Sequence, residues 1–226
     1  YIQRSGEKLR EMKYDFQSDN FVSRDITILS EHILRDGDNA SYIAFQNEPT
    51  PILWALLGNG TLAGMTYDQD QDVFAWHRHE IGGDGEVESI VTVPNYGGTA
   101  QNLWMVVKRT INGSTKRYVE MLQNEWNPEA TSDYSGQNYL DSYVTGAAAS
   151  SLTATHLPST TISLIGDGGE LEDATTDGSG VATLDVTYNS IVGGFPYTST
   201  CELVNAEGGN PMGTAQGKIK RIDKLS

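Results

Sequence analysis

Cysteine is nearly absent from these 226 residues. Cys201 stands alone, which excludes an internal disulfide framework and a zinc site built on several thiolates. Cations are scarce too: 15 Lys and Arg face 30 Asp and Glu, a formal charge of -15. Ordinary duplex DNA binding needs a net basic face that releases condensed counterions, so this balance argues against it. No apolar run reaches the roughly 18 residues of a membrane span, and no signal-peptide pattern is read. Histidine occurs at four positions, His32, His77, His79 and His156.

The remaining composition is that of a soluble globular chain, 38% hydrophobic and 20% charged. Its length suits one large domain or two small ones, with a core that needs no staples. The 24 glycines favour many short strands joined by tight turns. The chain opens at Tyr1-Ile2-Gln3-Arg4 without an initiator Met and ends beyond the basic stretch Lys218-Ile219-Lys220-Arg221. It is therefore expected to be a piece of a longer polypeptide.

One helix is expected near residues 24–34, capped by Ser23 or Asp25, with Ile26, Leu29 and Ile33 at helical spacing. Period-two patterns follow. Ile52–Leu57 and Thr61–Tyr67 flank Asn59-Gly60, and Asn102–Arg109 and Lys116–Leu122 flank Asn112-Gly113; both read as hairpins. Val73–Glu80 and Val87–Val93 read as further strands. The two hairpins echo each other at an interval of about 50 residues, with Trp54 matching Trp104, close to the period of a propeller blade. Residues 124–146 read as a polar loop. Leu152, Leu157 and Thr161–Ile165, then Val181–Val186 and Ile191–Thr200, read as strand material around a polar excursion over 172–180.

The expected fold is mainly β and antiparallel. It comprises a partial propeller-like region with one short helix (1–140), a small β-sandwich or barrel (141–205), and the truncated start of a next segment (206–226).

Few residues suggest chemistry. His77 and His79 in Trp76-His77-Arg78-His79 share one face of a strand, a spacing that metal sites use, but a metal-dependent hydrolase would need a third ligand that the sequence does not place nearby. The alternative is a half-exposed face whose histidines pair with carboxylates such as Glu80 or Glu88. Asp68-Gln69-Asp70-Gln71-Asp72 begins like a calcium loop, yet Val73 and His79 stand where an EF-hand needs Gly and Glu, so an acidic turn is expected. Gly166-Asp167-Gly168-Gly169 and Asp177-Gly178-Ser179-Gly180 lack the following helix and lysine of a phosphate loop and read as turns. No Gly-x-Ser-x-Gly elbow before a helix and no defensible carboxylate dyad is read. Neither an active site nor a cofactor nor a metal is expected. Lys108-Arg109 and Lys116-Arg117 form a basic ridge on one hairpin, read as pairing with local acids at an interface rather than with nucleic acid. Trp54, Trp76, Trp104 and Trp126 are expected in the core.

The wording of the chain carries a resemblance. Arg10–Phe16, Phe21–Leu34, Gln46-Asn47-Glu48-Pro49 with Ile52–Ala55, Asn59–Tyr67, Val73–His79, Val87–Ile90, Val106–Gly113 and Arg117–Glu120 occur in an order that resembles phage tail nozzle proteins, also called tail tubular protein B. Leu157–Gly168, Val192–Ser199 and Gly217–Ile222 resemble later parts of that family more thinly. The resemblance implies a structural virion protein of the tail, with propeller-like and smaller β domains. It further implies a homo-hexameric ring that docks adaptor and fibre or tip proteins and lines the DNA exit channel without specific DNA binding or membrane contact. Trp76, His77, Arg78, His79, Lys108, Arg109, Lys116 and Arg117 are then candidate interface residues. A carbohydrate-binding β module of a tail fibre is the alternative, motivated by 4 Trp and 11 Tyr on β-rich scaffolding.

Overall fold

The structure is a computed structural model that describes residues 1–123 and 138–202. β1 (Arg10–Asp15) and β2 (Asn20–Asp25) form an antiparallel hairpin that pairs Met12 with Ser23 and Tyr14 with Phe21. Asp25 ends it by accepting the Thr27 backbone N–H at 2.9 Å and the Thr27 hydroxyl at 2.7 Å, a local turn suited to aspartate. Helix α1 (Glu31–Asp36) follows.

The helix expected over 24–34 is therefore shorter and later. Ser23 and Asp25 belong to β2, and Leu29 is 91% exposed. Ile26 reaches the core from the bend after β2, so the helical spacing of Ile26, Leu29 and Ile33 reflects no shared helical face.

A four-stranded meander comes next: β3 (Ala40–Gln46), β4 (Ile52–Leu57), β5 (Leu62–Asp68) and β6 (Val73–His79), in that spatial order. β4 is apolar at every position because both its faces are covered. Ala55 and Leu57, with Ala63 and Met65 of β5, pack on Leu9, Ile33 and Leu34. Trp54, Leu56 and Leu62 point the other way, onto a second meander. That sheet is β7 (Glu86–Pro94), β8 (Gln101–Ile111) and β9 (Ser114–Met121), which contributes Val87, Ile90, Leu103, Met105 and Val107 to the shared core.

Both expected hairpins form, by different turns. Asn112 and Gly113 both take positive φ (47° and 70°), as a two-residue primed turn requires. At the β4–β5 turn Gly60 alone does so (82°), while the Asn59 side chain accepts the Thr61 N–H at 3.0 Å. The echo between the hairpins has a spatial counterpart. Trp54 lies on the face of the first sheet that the second sheet covers, whereas Trp104 lies on the face of the second sheet turned away from the first.

The rest is a small sandwich. One sheet has the order β10 (Asp141–Gly146), β15 (Ile191–Phe195), β12 (Thr161–Gly166) and β13 (Gly169–Thr175); β11 (Ala149–Thr153) pairs with β14 (Val181–Tyr188). Leu152, Leu157, Ile162, Leu164 and Ile191 fill the space between them. Two packed sheets, rather than a closed barrel, make up this module among the described residues.

Three sequence expectations change here. The polar stretch 124–146 contains β10 at its end; its alternation is broken by Ser142 at φ 50° and a register shift between Asp141 and Val144. The excursion over 172–180 starts inside β13, an edge strand whose outer residues are acidic. Leu157 sits buried in a turn rather than in a strand. Residues 206–226 and Trp126 lie outside the described residues.

The β6–β7 turn meets the sandwich at two glycines. A Cβ on Gly83 (φ +69°) would lie 2.5 Å from the Phe195 ring, while Gly98 (φ +65°) has nothing within 4 Å. Gly98→Ala should therefore cost only backbone strain, about 1 kcal/mol, and Gly83→Ala roughly 3 kcal/mol through added overpacking. Urea denaturation of the two variants tests this; equal losses would show that the junction does not require the close approach.

Candidate functional site

The eight candidate interface residues fall into four settings. β6 alternates, so Trp76 and Arg78 face helix α1 while His77 and His79 face the opposite side. The Trp76 indole donates to the Ile26 carbonyl at 2.9 Å, and Arg78 pairs with Asp36 at 2.9 Å. Trp76 thereby ties the bend before helix α1 to the first sheet, and Arg78 ties the helix itself. The tetrapeptide is thus divided between two faces and is not one patch.

His77 and His79 bond to each other, Nδ1 to Nε2, at 2.7 Å. Both rings meet Trp54 edge-on, with centroids at 6.1 and 5.0 Å. Gly64 lies opposite His77 on β5, and a Cβ there would run into the imidazole, so the glycine makes room for the ring. Burial lowers the His77 pKa, and burial plus the neighbouring His77 lowers that of His79 to about 4. The pair is neutral at pH 7 and keeps its facing nitrogens for each other. Among the described residues no group of three or more His, Cys, Asp or Glu could hold a metal ion. The acidic stretch Asp68–Asp72 closes the β5–β6 turn: Asp68 accepts the Asp70 and Gln71 N–H groups, and Asp72 pairs with Arg24.

On the second sheet, Lys108 pairs with Glu86 at 2.5 Å and Arg117 with Glu88 through two bonds of 2.7 and 3.0 Å. Arg117 holds the Glu88 carboxyl below its usual range. Lys116 is exposed beside the β8–β9 turn.

Arg109 differs from its three neighbours: its side chain is fully buried. Its guanidinium forms a two-bond pair with Glu120 on β9, and its Nε donates to the Gly82 carbonyl at 3.0 Å. It also lies over the Phe195 ring of the sandwich at 5.6 Å. The Gly82 N–H in turn donates to Asp141 at 2.7 Å. Burial, the leading cause, raises the Asp141 pKa despite that bond and the Arg109 charge. Ile111 enters the sandwich core, and the Tyr118 hydroxyl donates to the His156 carbonyl at 2.7 Å. These contacts fix the sandwich to the end of the second sheet.

Between the sheets and the sandwich opens a cleft of about 1910 Å³, whose walls include Trp54, His77, His79, Tyr118, Tyr143 and Tyr197. Among the described residues it holds no cluster of three or more metal-ligating side chains.

The junction through Gly82, Gly83, Glu120, Asp141 and Phe195 is not apparent from sequence alone; the adjacent glycines before β7 are its one local signal. Also absent from that reading is the apolar face of the β1–β2 hairpin, where Tyr14 meets Phe16 and Phe21 edge-on with centroids at 5.0 and 5.4 Å. No protein-family model matches the chain, and no curated protein matches it.

Two measurements probe these arrangements. Arg109→Met leaves Glu120 and the Gly82 carbonyl without their donor and should cost roughly 3–5 kcal/mol in urea denaturation. The double change Arg109→Met with Glu120→Leu should recover most of that loss; no recovery would mean that the pair is not the cause. A histidine whose folded pKa lies below its unfolded value of 6.5 takes its proton more readily when unfolded. The contribution of His79 is therefore complete above about pH 6.5 and declines as pH falls toward 4. The wild-type chain should lose on the order of 2–3 kcal/mol more over that window than His79→Gln. Parallel profiles would exclude the buried histidine as the cause.

Proposed function

We propose that this chain is a structural component of a phage tail nozzle and performs no catalysis. One observation carries the reading: the ordered resemblance spans residues 10–122, the stretch that folds as the hairpin, the helix and two antiparallel meanders stacked face to face. Antiparallel meanders stacked face to face resemble neighbouring propeller blades, with four strands in the first sheet and three in the second where a blade has four. The formal charge of -15 also suits a channel wall, since like charge repels the phosphate backbone and lets DNA slide. In this reading the parent protein forms a homo-hexameric ring in the virion tail, contacts adaptor and fibre or tip proteins, and passes DNA without holding it. The tyrosine-rich cleft favours a second reading, a carbohydrate-binding module of a tail fibre.

Mass spectrometry of purified virions, with negative-stain microscopy of the parent protein, separates the two. The nozzle reading expects the chain in virions and six-fold rings with a central channel. Absence from virions overturns both readings. Presence in virions without rings, together with specific hits on a glycan array, would replace the nozzle with the fibre module.

A further inference from the structure

We infer that the open edge of β9 takes an extended peptide from a partner protein, its residues alternating apolar and basic, which lies in the cleft as an added strand of the second sheet. The site is independent of whether the parent protein is a nozzle or a fibre.

The second sheet has three strands where the first has four, and the order β7–β8–β9 puts β9 at its edge. Leu122 donates to the Leu103 carbonyl at 2.9 Å, one step beyond the Trp104–Met121 pair. Antiparallel ladders alternate bonded and open pairs. The N–H and C=O groups of Tyr118, Glu120 and Leu122 therefore turn to β8, while those of Val119 and Met121 turn away from it. Among the described residues no backbone group bonds to Val119 or Met121 on that side. The cleft draws one wall from the unbroken run Tyr118–Gln123. A strand face contributes alternate residues, whereas an unbroken run is what an edge contributes. The open edge of β9 thus looks into the cleft, and an open edge is a template for a further strand.

The cleft also selects the occupant. Its volume of about 1910 Å³ exceeds the roughly 300–1,000 Å³ of small-ligand sites and suits a length of chain. A strand beside β9 places alternate side chains on the two faces of the second sheet. On the outer face they adjoin Val119 and Met121, which lie in register with Val106 and Trp104, so apolar residues fit there. On the inner face they point into the cleft. Arg78, a cation in its walls, is already paired with Asp36, and Glu120 with Arg109. Glu80 and Glu202 form no ion pair among the described residues, and Asp141 accepts a single backbone N–H there, from Gly82. The His77–His79 pair, neutral at pH 7, adds no opposing charge. A lysine or arginine entering from β9 meets these carboxylates with its stem along the tyrosine rings of the cleft. The same acidity repels nucleic acid.

Fluorescence anisotropy of the 226-residue chain with the labelled, end-capped peptide Thr-Val-Lys-Val-Lys-Val-Thr tests the inference. Binding with a Kd on the order of 100 µM or tighter is expected, the range of a small interface. The acidic counterpart Thr-Val-Glu-Val-Glu-Val-Thr should bind at least about tenfold more weakly. Val119→Pro removes an open-edge N–H without touching the β8 ladder and should weaken binding at least about tenfold, whereas Val119→Thr keeps that N–H and should stay within about twofold of wild type. Far-UV circular dichroism and cooperative melting check that each variant folds; Met121→Pro replaces Val119→Pro if that one does not. No binding by wild type overturns the inference, as does equal affinity for the acidic peptide or unchanged affinity of the proline variant. Binding gained only in Lys218→Glu with Lys220→Glu would assign the edge to the chain's own basic stretch and overturn docking of a partner. Presence of the chain in virions, which decides the nozzle and fibre readings, is untouched by any of these results.

Discussion

A buried guanidinium sets the arrangement of the two modules. Removing an arginine from water costs several kcal/mol unless its donors are satisfied and its charge is met. Arg109 meets those conditions with groups from three places: Glu120 on the neighbouring strand, the Gly82 carbonyl in the β6–β7 turn, and the Phe195 ring of the sandwich. Few geometries supply all three together, so one side chain specifies where the turn and the sandwich lie relative to β8. Glycine at positions 82 and 83 follows from this: a side chain there would occupy the space that Phe195 and Pro196 need. The Asp141 bond to the Gly82 N–H fixes the same turn from the sandwich side.

The same logic of opposed faces builds the layers. In β4 and β5, alternate residues look toward the helix and toward the second sheet, so one pair of strands belongs to two cores. Polar residues at the margins are locally satisfied. The Trp54 indole finds Gln46 inside the core, the two neighbouring histidines find each other, and three of the four cations on β8 and β9 find carboxylates on β7 and β9. In a chain of such negative charge, these pairs leave little net positive field on the second sheet.

Much of this was legible in the sequence because short-range rules governed it. Asn112-Gly113 and Asn59-Gly60 announced their hairpins through the φ angles that glycine and asparagine tolerate, and the alternation of Val181–Val186 announced a strand. What escaped notice was decided at longer range. Phe21 and Val22 pair with β1, which draws Ser23 and Asp25 into a strand despite a helical spacing of apolar residues downstream. A bulge at Ser142 hides β10, and an edge position permits β13 its acidic outer face. Among the candidate residues, neighbouring positions proved unlike each other. Arg109 is buried and joins modules, while Lys108, one residue away, lies on the opposite face; pairing with acids was expected of the group, but nothing local distinguishes the one buried member. His77 and His79 share a face as period two demands, and their enclosure comes from Trp54 and from the absence of a side chain at Gly64, both on other strands.

The length of β8 has a mechanical consequence. The eleven residues of β8, Gln101–Ile111, span about 36 Å of extended chain and carry the strand past Trp104 on the outer face to Ile111 within the sandwich core. Its register with β9 continues without a break from Trp104–Met121 to Ile111–Ser114. A pull on the sandwich directed along this strand loads the whole ladder in shear, all its hydrogen bonds resisting together. A pull across the strand would instead open them one at a time from the end. The sandwich is thus coupled to the second sheet by a stiff rod, strong along its axis, through which tension on one module reaches the other with little stretch.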